Sequence, residues 1–425
     1  MLAHEYIPRA ITEVIISPLL KSSLRDPCVS ANYRPISLST AFSKILEHVI
    51  LNRIERYIET SEHQFGFKKK HGTDICIYAL KDVINYYRKL NTPVFLCFID
   101  AKSAFDRVSY KKLFTLLCNR GCPKYIILIL LNWYSSMELC VTWGNFRSRC
   151  FKMNNGIKQG SCISPYLYCL YVDELNIELK KSGIGCRVSN VCANNFSFAD
   201  DLVVLGPDAK SVNKLLEICA KFAKKYYIEF NTIKTEAMCI HPGVTISFEP
   251  PKIYLDGAVI KYVNSFSYLG HIISNDFTDD LDIQRETRNL YIRGNTIARK
   301  FGFLDNEIKE SLFKSYCYSL YASPLWVNYR LSTMNKLRVR YSNVLRKLMD
   351  VPPRSSISAV FVSNNLRGFH ENRRYSIYSL KERILTNDNL IIKSMLRSDC
   401  YLLSSHRIAW NSILIRNPLS IVYLV

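Results

Sequence analysis

A chain of 425 residues, 48% hydrophobic and with a mean hydropathy of −0.02, has a globular composition with room for two or three domains. Its 57 Lys+Arg against 36 Asp+Glu leave a net charge of +21 and a pI near 9.3, which suits a polyanionic partner, nucleic acid before an anionic membrane surface. The cations are spread along the chain, so a basic groove on a folded body is expected rather than a disordered basic arm.

The start "MLAHEYIPRAITEVIISPLL" has neither a basic leader nor a cleavage site. In chain order, "STAFSKILEHVILNRIERYIET" reads as a helix with Ile45, Leu46, Val49, Ile50, Ile54 and Ile58 on one inward face. "GTDICIYALKDVINYYRKLN" follows as a helix with Thr73 as its N-cap. "TPVFLCFID" is a continuous apolar strand that ends in a carboxylate, Asp100. "VSYKKLFTLLCNRG" opens at Ser109, turns Leu113, Leu116 and Leu117 inward and stops at Gly121. The run "YIILILLNWY" is too short to span a bilayer. In "SPYLYCLYVDELNIELKKSG", Ser164 is placed as the cap, Pro165 in the first turn, Lys180 and Lys181 at the negative end, and Gly183 closes the helix. "FSFAD" and "DLVVLG" are strands either side of an acidic doublet. "SVNKLLEICAKFAKKYY" then keeps Leu215, Ile218, Phe222 and Tyr226 on one side. Short strand-like runs fill "PKIYLDGAVIKYVNSFSYLGHII", and from about residue 280 the chain is helical and basic. The expected architecture is α+β, helices packed on a small, mainly antiparallel sheet.

Fifteen cysteines are present without a paired CxxC spacing; Cys118 and Cys122 lack a second pair at ligand distance. Reduced thiols in an intracellular, soluble protein with no membrane span are expected.

Asp200 and Asp201 stand side by side in "NNFSFADDLVVLGPD" with no Lys, Arg or His in that window. Their repulsion is tolerable in a solvated turn, for which Asp is a good residue, or beside a divalent cation that offsets it. Two strands each ending in Asp, one of them doubled, would gather three carboxylates at one sheet edge. Two-metal phosphoryl transfer needs such a group, with ions roughly 3.5–4 Å apart. Asp106 is read as a possible N-cap only. In "NNGIKQGSCISPYLY", Gly156 and Gly160 bracket Gln159 and leave a backbone that something flat can approach.

"NYRPISLST", "HQFGFKKKHGT", "FIDAKSAFDRV", "GIKQGSCISPYLYCLYVDEL", "FADD", "FNTIKTEAM" and "SYLGHII" occur in this order over about residues 5 to 275. The set resembles the reverse transcriptases of non-LTR (LINE-type) retrotransposons. Retroviral polymerases share the carboxylates but not the "NYRPISL" and "QFGF" blocks. The resemblance implies a right-hand polymerase fold with fingers and upstream segment over 1–95 and a palm over 96–245. A thumb-like connection over 246–335 and a helical C-terminal extension over 336–425 would follow, the last truncated because the chain stops on apolar "SIVYLV". It implies an RNA-directed DNA polymerase that adds dNTPs to a primer 3′-OH.

By the same resemblance Asp100, Asp200 and Asp201 hold two Mg²⁺ ions, with Mn²⁺ as a substitute. Lys234 protonates the leaving pyrophosphate. Phe105 lies under the incoming sugar beside Ala101 and favours dNTPs, while Gln159 and Gly160 pack against the nucleotide and template. Arg34 and Lys68 contact nucleotide or template; the family commonly has Arg at the position of Lys68, and Lys binds phosphate as a point charge. Ser103 replaces a frequent Lys. The partners implied are an RNA template, a DNA primer and dNTPs, and the expected compartment is the nucleus; oligomeric state is not legible. The endonuclease that usually precedes this polymerase has no room in the chain, and no zinc knuckle follows. A polymerase-containing fragment or decayed copy is therefore expected, with a catalytically silent, RNA-binding relict as the alternative.

Overall fold

The computed structural model of the chain describes residues 6–22, 24–242, 249–352 and 355–415. The first five residues, the 245/246 boundary and the apolar end "SIVYLV" lie outside the described residues.

After one helical turn, α1 (Arg9–Thr12), the strand β1 (Glu13–Leu20) is paired antiparallel by β2 (Tyr33–Leu38). Helix α2 (Ala41–Ile54) begins where the Thr40 hydroxyl accepts the Ser43 amide at 3.2 Å. Its buried face is Ser43, Leu46, Glu47, Ile50 and Ile54; Ile45 and Val49, expected inward, are 59% and 36% exposed. A wide apolar stripe does not say which sector the core covers, and here the buried Glu47 turns that sector toward an ion pair with Lys158. Helix α3 (Thr73–Lys89) is buried without a break from Ile75 to Asn85. Thr73 is its first residue rather than its cap: Gly72 holds the cap position, and the Thr73 hydroxyl meets that of Tyr321 at 2.9 Å.

Strand β3 (Val94–Ile99) shows why its sequence reads as one apolar run. Phe95, Cys97 and Ile99 enter one core, and Val94, Leu96 and Phe98 enter the core on the opposite face. Next come α4 (Tyr110–Asn119), with Leu113, Leu116 and Leu117 buried as expected, and α5 (Lys124–Ser136). Strands β4 (Glu138–Trp143), β5 (Phe146–Arg147) and β6 (Phe151–Lys152) complete the sheet begun by β1 and β2, with β4 parallel to β1. Helix α6 (Ser164–Lys181) starts at Ser164 itself, and the hydroxyl of Ser161 accepts the Ile163 and Ser164 amides at 3.3 and 3.4 Å.

A short hairpin, β7 (Arg187–Val188) and β8 (Val191–Cys192), precedes β9 (Asn195–Phe198) and β10 (Asp201–Gly206). Helix α7 (Ala209–Tyr226) is capped by Asp208 and buries Leu215, Phe222 and Tyr226, with Ile218 half-buried. Strands β11 (Glu236–Ile240), β12 (Ile253–Leu255) and β13 (Ala258–Tyr262) join the central sheet in the order β12-β13-β11-β3-β10-β9, in which β11 and β13 alone run parallel.

The strands β14 (Ser265–Tyr268) and β15 (His271–Ser274) pair with each other and lead into the helices. Helices α8 (Asp280–Phe301), α9 (Asn306–Cys317) and α10 (Leu331–Leu348) share a core that runs from Ile283 to Phe369. The short α11 (Ile357–Ser363) is followed by α12 (Phe369–Leu385), α13 (Leu390–Leu396), α14 (Asp399–Leu402) and α15 (Ser405–Ile415). Ile377, Leu380, Ile391 and Trp410 of this last group pack into the core around α3, so α12, α13 and α15 close over the back of the sheet. Among the described residues no helix is long and apolar enough to cross a membrane.

Candidate active site

The acidic doublet sits at the tip of a two-residue hairpin. Phe198 and Asp201 pair across β9 and β10, which leaves Ala199 and Asp200 as the turn. Ala199 has a left-handed backbone, φ +56°, a strained setting for a residue with a Cβ. Leu202 pairs with Ile99 in the neighbouring β3, so the antiparallel register carried one step further brings Asp201 beside Asp100, whose charge acts on it.

Asp100 is fixed by a second neighbour, the "FNTIKTE" segment. Its carbonyl accepts the Asn231 amide at 2.7 Å, its own amide donates to the Thr235 hydroxyl at 3.3 Å, and Ala101 bridges to Phe230. The carboxylates feel one another. Loss of water against the walls of the cleft and then the charges of Asp200 and Asp100 push the Asp201 carboxyl up to about 6. Asp200 is raised by the same loss of water and by Asp100, with its own backbone amide and Arg34 opposing the rise. Both tips are exposed, so water softens the repulsion below that of a fully buried pair.

Among the described residues no three His, Cys, Asp or Glu side chains close into a ready cage for an ion. The donor chemistry fits a hard divalent cation all the same: the charge of Asp100 raises the proton affinity of Asp200 and Asp201, and Mg²⁺ takes one or two carboxylates together with substrate phosphates rather than a closed protein cage.

The other expected residues divide. Lys234 places its ammonium 3.8 Å from Asp100, with the side chain 58% exposed. Phe105, in a 3₁₀ turn after Asp100, stacks on Tyr168 with ring centroids 4.8 Å apart. Gln159 accepts the Ser37 amide on its carbonyl at 2.6 Å, and its side chain opposes the rise that burial gives the Asp106 carboxyl. Asp106, expected as an N-cap, lies inside the 3₁₀ turn Ala104–Arg107, whose cap position is held by Ser103. Gly160, at φ +108°, is exposed, and a Cβ there would lie 2.8 Å from the Ser37 carbonyl. Lys68 does not join the group. Its ammonium donates to the backbone carbonyls of Thr60 and Ser61 at 2.9 and 2.6 Å, and burial lowers its pKa against the pull of Asp173 and Glu62.

Two contributors carry no clear mark in the sequence. Lys21 pairs with Asn32 beyond the Leu19–Arg34 pair, which puts Lys21 and Arg34 on one face of the small sheet; Lys21 acts on Asp106 and Arg34 acts on Asp200. The alternation of β1 holds that signal, but it becomes readable only once the partner strand is known. Gln64, within "QFGF", has no evident role as a bare residue. It lies parallel to Ser197 beside β9 and reaches the turn at Ala199.

Residues 20–273 match the family described as Reverse transcriptase (RNA-dependent DNA polymerase). The chain is 26% identical over 370 residues to the RNA-directed DNA polymerase from mobile element jockey of Drosophila funebris, covering 82% of this chain and 38% of that protein. It is 26% identical over 251 residues to the retrovirus-related Pol polyprotein from the retrotransposable element R2 of Popillia japonica, covering 57% of this chain and 35% of that protein. A solved structure of telomerase from Candida tropicalis, in complex with a fragment of telomeric RNA, aligns over 97% of this chain and 63% of that one at 11% identity and a TM-score of 0.48. The chain spans less than two fifths of the length of the two transposon relatives. With more than half of its residues matched, carboxylate hairpin and facing aspartate included, this chain belongs to the reverse transcriptase family.

Proposed function

We propose that this chain is an RNA-directed DNA polymerase that joins dNTPs to the 3′-OH of a DNA primer on an RNA template. The observation that carries the reading is the register that brings Asp201 beside Asp100 with Asp200 in the adjoining turn. Asp100, Asp200 and Asp201 would hold divalent ions, Mg²⁺ or Mn²⁺. Such ions, when bound, favour an ionised primer hydroxyl and neutralise charge on the leaving phosphates.

The chain's own residues supply the rest. Arg34 presents a cation to the triphosphate from the small sheet, with Lys21 on the same face and its ammonium on the Ala31 carbonyl. Lys234, on the opposite side by Asp100, donates a proton to the leaving pyrophosphate from its Nζ. The Phe105 ring, held by Tyr168, fills the space where a ribose 2′-OH would sit. The Gln159–Gly160 backbone, lacking a Cβ at its exposed residue, lets the base pair lie flat against it. The charge of +21 grips the duplex through its phosphates, with affinity that falls steeply as salt rises.

The test is primer extension on an RNA template with purified chain, dNTPs and Mg²⁺, beside Asp200→Asn. Extension by the parent and none by the variant supports the reading. RNA binding without extension by the parent would instead establish a silent relict.

A further inference from the structure

Resting on the polymerase reading, we propose that Glu47 and Lys158 are a positioning pair that sets nucleotide affinity by fixing the Gln159–Gly160 backbone. The two side chains come from positions 111 residues apart, are 0% and 2% exposed, and meet at 2.8 Å. The second carboxylate oxygen of Glu47 accepts the Cys162 amide at 2.7 Å. A single carboxylate on α2 therefore holds the loop on both sides of Gln159 and Gly160. The Lys158 ammonium also lies 4.7 Å from the centroid of the buried Trp133 ring, which limits where it can move.

A buried ion pair is a poor source of stability, because desolvating two charges offsets most of their attraction. What it does well is impose one geometry, since any displacement leaves a charge unpaired in a dry interior. The geometry imposed here is that of the segment carrying Gln159. Ser37, on the strand leading into α2, holds the Gln159 carbonyl, so the loop follows the fingers side of the cleft rather than the palm alone. Glu47 and Lys158 engage each other, the Cys162 amide and Trp133 rather than the aspartates, so they act through the loop.

The experiment is a dNTP titration of primer extension with the parent, Glu47→Gln, and the paired variant Glu47→Met with Lys158→Met. Removing both charges together leaves neither buried alone, so the paired variant retains the fold, as melting and duplex affinity will show. The expected result is a dNTP KM raised on the order of tenfold or more, with duplex affinity and kcat at saturating dNTP far less changed. Glu47→Gln, which keeps an acceptor for Cys162, falls between. A folded paired variant with the parental KM overturns the proposal. If the paired variant does not fold, Glu47→Gln decides it in the same way: a raised KM supports and a parental one overturns. Nucleotide-dependent retention of duplex with a dideoxy-terminated primer gives the same comparison without turnover. A parent that retains duplex in this way without extending primers sinks the polymerase reading, and the variants' nucleotide affinities still decide the pair's role. A parent that does neither overturns both.

Discussion

The side-chain carbonyl of Gln64 accepts the amide of Ala199 at 2.9 Å, at the tip of the hairpin that carries Asp200 and Asp201. The same oxygen accepts the Gly66 amide at 2.9 Å, and a Cβ on Gly66 would lie 2.6 Å from the Ala199 nitrogen. The "QFGF" block thus buttresses the turn that carries Asp200 and Asp201. Gln64→Ala should lower stability by about 1–3 kcal/mol, because it strands an inward-facing amide at a strained turn. Urea denaturation checks this, and extension should slow while duplex affinity is unchanged. An unaltered midpoint would show that water replaces the glutamine.

The carboxylate cluster predicts a pH dependence whose sign follows from its raised proton affinity. Asp201 is pushed up to about 6 in the folded chain, against about 3.9 for an unfolded aspartate. Its contribution is fully present below the unfolded value and is lost as pH rises through about 6, because the folded state holds a proton that the unfolded chain has released. In metal-free buffer at pH 7.5, Asp201→Asn should therefore stabilise the chain by on the order of 1 kcal/mol, a figure reduced for the exposed tip. Added Mg²⁺ should raise the melting temperature of the parent more than that of the variant. Melts between pH 4.5 and 7.5 decide it; a variant no more stable than the parent at pH 7.5 removes the repulsion from the account.

Phe105 is held by its stack on Tyr168. Phe105→Val opens the space under the sugar and should raise the use of ribonucleotides relative to deoxynucleotides by about ten- to 200-fold, the range a shape mismatch of one or two methylenes commands. Competition between rNTPs and dNTPs in single-nucleotide addition measures the ratio directly. An unchanged ratio would return Phe105 to a core role.

Lys81 of α3 is buried and pairs with Asp279, just ahead of α8, and also donates to the Leu325 carbonyl at 2.8 Å. The other oxygen of Asp279 accepts the Val327 and Asn328 amides at 2.8 and 3.0 Å. Lys81→Met leaves this carboxylate buried with amides for company but no cation, and should destabilise by about 3 kcal/mol, the lower end for a broken buried pair. A loss below about 0.5 kcal/mol in urea would mean that the amides suffice.

Much of the site is legible in the sequence by itself. A strand buried on both faces leaves an unbroken apolar run, and such runs mark β3 and β10 and the aspartates at their ends. The helix stops at Gly121 and Gly183 are legible too, because a left-handed residue with no Cβ is a local matter, decided within one turn of chain. Starts are less so: Thr73 and Ser164 are the first residues of their helices, and Gly72 and Ile163 hold the cap positions.

What only the tertiary structure decided is which distant groups meet. The periodicity of α2 admits two apolar sectors, and the choice that exposes Ile45 and buries Glu47 depends on Lys158, 111 residues away. Lys68 donates to the Thr60 and Ser61 carbonyls, while Lys21, an unremarkable cation just past β1, is set on the face of Arg34 by pairing with Asn32. Sequence periodicity reports the environment of a face; it carries no address for the partner of a charge. Coulombic and hydrogen-bonding choices in a dry interior are made by whatever group the fold places within about 3 Å, and that is settled only when the chain has closed on itself.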